Sequence, residues 1–304
     1  MRSLEGVFTA IITPFIKGEI DWVSMKKLLR FQLDGGIQGL VVCGTTGESP
    51  TLSIVEKQKL FEFIRSEVAG AIPLVMGTGS NSTAETIHAT RLAKSWGADA
   101  ALVVVPYYNK PSQMGLQLHF EKVASESGLP IILYNVPSRT ITRLELETIK
   151  ELSKNNRIVA IKEASGDLAF GRSIAESTGL VLSSGDDGTC LRLAACGGLG
   201  VISVISHLIP RDLVRLMKQA VAASPKGEAA VDAVASEFDT RFGELNSSLY
   251  LEANPIPLKF ALWKMGLIES PELRLPLTTL GLAHQPAIDR ALRSVNLMSG
   301  AGIV

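Results

Sequence analysis

Short β-branched runs punctuate the N-terminal two thirds of the chain: VFTAIIT, GLVVCG, PLVMGTG, ALVVVPYY, PIILYNVP, IVAIKE, LVLSSGDD and GVISVIS. Most lack polar alternation, as expected of parallel strands covered on both faces. Between them the apolar spacing becomes helical. Ala89, Leu92, Ala93 and Trp96 fall at i, i+3, i+4 and i+7, behind Ser82-Thr83-Ala84-Glu85, a capping-box signature. Leu213, Leu216, Met217 and Ala220 repeat that spacing.

Eight strand candidates, separated by βα steps of roughly thirty residues, predict an α/β fold, a (β/α)8 TIM barrel over residues 1–223. An open doubly wound sheet would more readily show GxGxxG after the first strand, and none stands there. Beyond residue 224 strand-like runs stop and helical or Pro-broken segments take over. Residues 224–304 are therefore expected to form a C-terminal helical extension packed on or between barrels.

Composition narrows the function classes. The chain has 304 residues, 46% hydrophobic and 20% charged, which suits a globular protein with ample core. Thirty basic residues balance thirty acidic ones, and no Lys/Arg run would track a phosphate backbone, so nucleic acid is a poor partner. Cys43, Cys190 and Cys196 are odd in number and form no CxxC pair, which suits a reducing compartment. The N-terminus lacks the features of a signal peptide, and no apolar run is long enough for a membrane span. The expected location is the cytoplasm.

In such barrels, sites gather at the C-terminal ends of the strands. There the sequence places Gly44-Thr45-Thr46-Gly47-Glu48-Ser49, Gly77-Thr78-Gly79-Ser80-Asn81, Pro106 to Pro111, Tyr134 to Thr140, Lys162-Glu163 and Ser184-Gly185-Asp186-Asp187. Lys162 has two readings. Its head could snorkel to water or pair with Glu163 or Asp187. Alternatively it is a desolvated, neutral amine, nucleophilic toward a carbonyl and able to form a Schiff base. The second reading needs a proton shuttle, and Tyr134 at the adjacent strand end offers one; the competing reading is a tyrosine that caps the core with its hydroxyl in water.

The GTTGES turn has the small residues and hydroxyls of an anion-holding loop at a helix N-terminus, against the plainer reading of a capped βα loop. It lacks a P-loop lysine, so a carboxylate is the expected anion. Arg139 offers a planar fork for a second carboxylate, or else is a surface arginine. The four histidines, His88, His119, His207 and His284, show no metal-ligand spacing, and Asp186-Asp187 is weak evidence for a divalent ion.

Taken as a set, GTTGES, YYNKPSQMG, YNVPSRT, IKEASGD and SGDD resemble the pyruvate-dependent class I aldolases, the superfamily of dihydrodipicolinate synthase and N-acetylneuraminate lyase. The likeness is strongest to the dihydrodipicolinate synthase branch and runs from GVFTAIITPF to NPIPLKFAL and LRLPL, nearly the whole chain. It implies a lyase that condenses pyruvate with aspartate semialdehyde in lysine biosynthesis, with neither metal nor organic cofactor. Lys162 would carry the Schiff base. Tyr134 would transfer protons together with Thr46 and with Tyr108 of a neighbouring subunit. Thr45 and Thr46 would hold the pyruvyl carboxylate, Arg139 the second substrate, and the main chain at Gly185 and Ile202 would line the pocket. The implied assembly is a homotetramer, a dimer of dimers.

The resemblance also implies an effector site at Ser49, Lys57, Asn81, Glu85 and Tyr107. Lysine-inhibited members carry histidines just after the turn, where this chain has Ile54 and Lys57. A cation at Lys57 disfavours a second cationic ligand, so weak or absent feedback by lysine is expected. A sister aldolase acting on sialic acid or a keto-deoxy sugar acid would share Lys162 and Tyr134. Arg139 and the threonine pair argue against it, because sialic-acid lyases usually show Ser-Thr and no arginine there. A non-catalytic keto- or amino-acid sensor would not need every catalytic position filled.

Overall fold

The computed structural model describes residues 3–298; the first two residues and the last six of the expected C-terminal extension lie outside them. Eight strands follow the expected runs: β1 (Gly6–Ala10), β2 (Gly39–Val42), β3 (Leu74–Gly77), β4 (Ala100–Val104), β5 (Ile131–Asn135), β6 (Ile158–Glu163), β7 (Val181–Ser184) and β8 (Gly200–Ser203). Each pairs in parallel with its sequence neighbours, and β1 pairs with β8, so the sheet closes into a barrel. A two-stranded ribbon, Phe15–Ile16 and Glu19–Ile20, lies beside it.

The core has two layers because each strand buries both faces. Phe8, Val41, Val75, Leu102, Ile132 and Ile202 fill the barrel, with Tyr134 in the same cluster. An outer layer joins the strands to the helices. Gly39 is required where it stands: a Cβ there would lie 2.1 Å from the Phe8 ring, which fills the barrel floor.

On the helix Pro210–Ala223 the expected stripe of Leu213, Leu216, Met217 and Ala220 is buried. On the helix Thr83–Trp96 the buried face is rotated from the expected one, to Thr86, Ile87, Thr90, Ala93 and Trp96. The two threonines hide their hydroxyls, Thr90 donating to the Thr86 carbonyl at 2.7 Å, so an apolar-only pattern misses them. Ser82 caps this helix, but the reciprocal capping box forms at Ser53 and Glu56, on the helix Ile54–Val68. The C-terminal helices Glu228–Ser248, Ile256–Lys264 and Gln285–Ser294 contribute Phe238, Phe242, Leu262 and Ile288 to the outer core layer. Among the described residues no helix is long and apolar enough to cross a membrane.

Candidate active site

Strand alternation and register bring Lys162 and Tyr134 together. They are direct partners across the β5–β6 pair, so both point into the barrel, while Asn135 and Glu163 point out. The Lys162 Nζ lies 4.4 Å from the centre of the Tyr134 ring, and each residue is only 7% exposed. Gly185 permits this placement, since a Cβ there would sit 2.7 Å from the Lys162 Cε.

Neither acid that could neutralise Lys162 does so. The Glu163 carboxylate accepts from Asn135 Nδ2 and from the Ser165 N–H, both at 2.7 Å. Asp187 Oδ2 accepts from the N–H groups of Val204 and Ile205 at 2.9 and 2.8 Å, stitching the loops after β7 and β8 together. Burial pushes the Asp187 carboxyl above its ordinary range, against these hydrogen bonds and one from Ser203. Among the described residues no carboxylate forms an ion pair with Lys162.

Opposite, the GTTGES turn departs from the expected helix N-terminus. It runs into a 3-10 turn, Ser49–Thr51, and the α-helix begins only at Ile54. The N–H groups of Gly47 and Glu48 are used inside the turn, on the carbonyls of Gly44 and Thr45. Those of Thr45 and Thr46 find no acceptor among the described residues and stay available to an anion. Three anchors hold the turn. Thr13 Oγ1 donates to the Gly47 carbonyl at 2.8 Å, and Asn254 Nδ2 donates to Thr46 Oγ1 at 2.9 Å. Glu48, in the left-handed region at φ 54°, pairs with Lys259 and accepts from the Arg274 N–H at 3.0 Å.

A cavity of about 580 Å³ opens over this rim, lined by Thr45, Tyr134 and Arg139 together with Ser49, Lys57, Glu85 and Tyr107. Three of the substrate candidates thus share a hollow with most of the effector candidates, while Thr46, Lys162, Gly185 and Ile202 are not among its lining residues. Asn81 is not among the lining residues; its carbonyl accepts from Asn109 Nδ2 at 2.9 Å. Tyr108 turns away: it is 87% exposed at φ 75°. Ile202 is buried in the barrel cluster, on the strand beyond β7 from Lys162.

His88 and Asn254 also line this cavity, and sequence reasoning did not single them out. His88, one of the histidines without metal-ligand spacing, is exposed to this cavity on the same helix as Glu85. Asn254 lies in the C-terminal extension, 208 positions from Thr46, and only the closed fold reveals the contact. His119 is buried, with Nδ1 2.9 Å from Thr83 Oγ1, and His207 is wholly buried. Asp186 spends its carboxylate on the Gly188 N–H and the Thr189 hydroxyl. Among the described residues no cluster of His, Cys, Asp or Glu could hold a metal ion.

The profile of the dihydrodipicolinate synthetase family matches residues 3–295. A 4-hydroxy-tetrahydrodipicolinate synthase of Bdellovibrio bacteriovorus is 48% identical over 98% of this chain and 100% of its own length. The crystal structure of dihydrodipicolinate synthase from Aquifex aeolicus superposes with a TM-score of 0.91 at 39% identity, covering 98% of this chain and all of that one. A chloride-inhibited dihydrodipicolinate synthase from Acinetobacter baumannii, solved in complex with pyruvate, gives a TM-score of 0.91 at 38% identity, covering 97% of this chain and 100% of that one.

Proposed function

The chain belongs to the dihydrodipicolinate synthetase family, and on that premise we propose that it acts as a 4-hydroxy-tetrahydrodipicolinate synthase through a Schiff base on Lys162. The observation that carries the assignment is the buried Lys162 amine, over the Tyr134 ring and without a carboxylate partner. In its neutral form the amine adds to the pyruvate carbonyl, water leaves, and the nitrogen becomes a protonated Schiff base. That cation withdraws electrons, so a methyl proton departs and an enamine remains. The enamine carbon attacks the aldehyde of aspartate semialdehyde, whose oxygen takes up a proton. The substrate amine then attacks the former carbonyl carbon, expels Lys162 and closes the six-membered ring.

Protons must move at each stage, and we assign that transfer to the hydroxyl of Tyr134, whose ring lies against the Lys162 amine. The free N–H groups of Thr45 and Thr46 suit the pyruvyl carboxylate. We assign the relay to Thr45 rather than to Thr46, because Thr45 lines the cavity while the Thr46 hydroxyl is engaged by Asn254. Arg139, on the cavity wall, suits the carboxylate of the second substrate. Tyr108 projects from the surface at left-handed φ, as a side chain serving a second copy's site would, which favours at least a dimer and agrees with a dimer of dimers. Three buried free cysteines suit the cytoplasm. The Ile54 and Lys57 pair on the cavity wall favours weak lysine feedback.

Borohydride reduction with pyruvate, followed by peptide mass mapping, tests the mechanism. The expected result is a pyruvate-dependent adduct on Lys162 that is lost in Lys162→Ala. No adduct, or one on another lysine, would overturn the assignment. A coupled assay with aspartate semialdehyde, run beside keto-sugar cleavage, tests the acceptor.

A further inference from the structure

Asn254 belongs to neither the barrel nor any strand end, yet it touches the turn on which pyruvate recognition rests. Its Nδ2 donates to Thr46 Oγ1 at 2.9 Å, and its Oδ1 is buried without a partner. A hydroxyl has one proton to give and two lone pairs to receive with. With one lone pair taken by Asn254, and no acceptor for Oγ1 among the described residues, the Thr46 proton is uncommitted. It is free to be given to an anion beside the Thr45 and Thr46 N–H groups, which are also uncommitted.

The unpartnered amide oxygen adds a second observation. A residue selected to stabilise this contact would satisfy both ends of its amide, because a buried unpaired oxygen is costly. Asn254 satisfies only the end that faces Thr46. The rest of the C-terminal extension reinforces the placement, since Lys259 and Arg274 grip Glu48 two residues further along the turn.

We infer that Asn254 is a positioning residue for pyruvate: it holds the Thr46 hydroxyl as a hydrogen-bond donor toward the pyruvyl carboxylate. The inference rests on the reading of the threonine turn as the carboxylate site. An aspartate at this position would reverse the polarity, because it can only accept and would draw the Thr46 proton to itself. It would also set a negative charge near the substrate's own.

Steady-state kinetics on Asn254→Ala, Asn254→Asp and Thr46→Val, with a thermal melt of each, test this. We expect Asn254→Asp to raise the KM for pyruvate roughly tenfold or more, the scale of a hydrogen bond to a charged group. Asn254→Ala should raise it a few-fold. In both, kcat and the melting midpoint should stay near those of the parent, whereas a merely structural role would lower the midpoint and leave KM alone. Asn254→Ala should add nothing further in a Thr46→Val background, where the hydroxyl it orients is gone. If Thr46→Val raises KM while both Asn254 variants leave it unchanged, or if the effects of Asn254→Ala and Thr46→Val multiply, the inference falls alone. If Thr46→Val changes nothing, the reading of the turn as the carboxylate site falls first.

Discussion

Two lysines lie deep in this molecule and differ in almost everything but burial. Lys162, next to the end of β6, sets its amine against the face of Tyr134, and among the described residues no carboxylate pairs with it. Lys259, on the helix Ile256–Lys264, is 0% exposed and fully engaged. It pairs with Glu48, donates to the Glu272 carbonyl at 2.8 Å, and stands 4.3 Å from the centre of the Phe15 ring. Burial pushes the Lys259 ammonium down to about 8, with Glu48 opposing. Desolvation alone therefore does not make a lysine reactive. What separates the two is whether the protons and the charge already have takers: Lys259 has spent its donors on holding the chain together, and among the described residues Lys162 has no carboxylate partner.

The largest contrast should appear on truncating each in turn. Lys162→Ala should lower kcat by on the order of 10⁴-fold or more, the scale of losing a covalent nucleophile, with an unchanged melting curve. Lys259→Met should do the reverse. It strands the Glu48 carboxylate in the interior and should cost about 3–5 kcal/mol of stability by chemical denaturation, while the folded fraction still forms the pyruvate adduct on Lys162. Adding Glu48→Gln should recover part of that loss. An enzyme that melts normally without Lys259 but no longer forms the adduct would erase the distinction.

A smaller effect concerns acid. Burial lowers His207 to about 4, and its neutral ring is used at both nitrogens, Nδ1 toward the Val204 carbonyl at 2.8 Å and Nε2 accepting from the Ile12 N–H at 3.1 Å. Its folded value lies below the unfolded one near 6.5, so the unfolded chain takes up a proton first. The stability it confers is complete above pH 6.5 and is lost as pH falls toward 4, by roughly 3 kcal/mol. Burial lowers His119 to about 4 as well, which steepens the same limb. Denaturation midpoints at pH 7 and 4.5, with and without His207→Gln, read this directly. The smallest effect expected is at the effector residues. Lysine at sub-millimolar concentration should leave the initial rate nearly unchanged, and strong inhibition would show that Lys57 moves aside for a second cation.

The barrel was legible because strands covered on both faces leave uninterrupted apolar runs, and eight of them in order leave few ways to close. The meeting of Tyr134 and Lys162 was legible for the same reason, as neighbouring parallel strands end at one rim. The clamp was not. In IPLKFALWK a lysine amid apolar residues reads as the wet side of a helix, and only Glu48, brought in from a distant turn, makes its burial tolerable. Thr86 and Thr90 hid a buried helix face behind hydroxyls that bond back to their own helix. His88 looked ordinary because nothing local says that its helix borders a hollow.

The grip of the C-terminal segment on the threonine turn also orders events in time. Asn254 reaches back 208 positions to Thr46, and the Arg274 N–H reaches back 226 to Glu48. A ribosome that has emitted the last barrel strand has made eight strands and Lys162 but not the C-terminal part of the cavity wall. At about 5–20 residues per second the remaining wall follows some seconds later. Until then the threonine turn lacks its C-terminal braces, so the cavity is completed only with the tail of the chain.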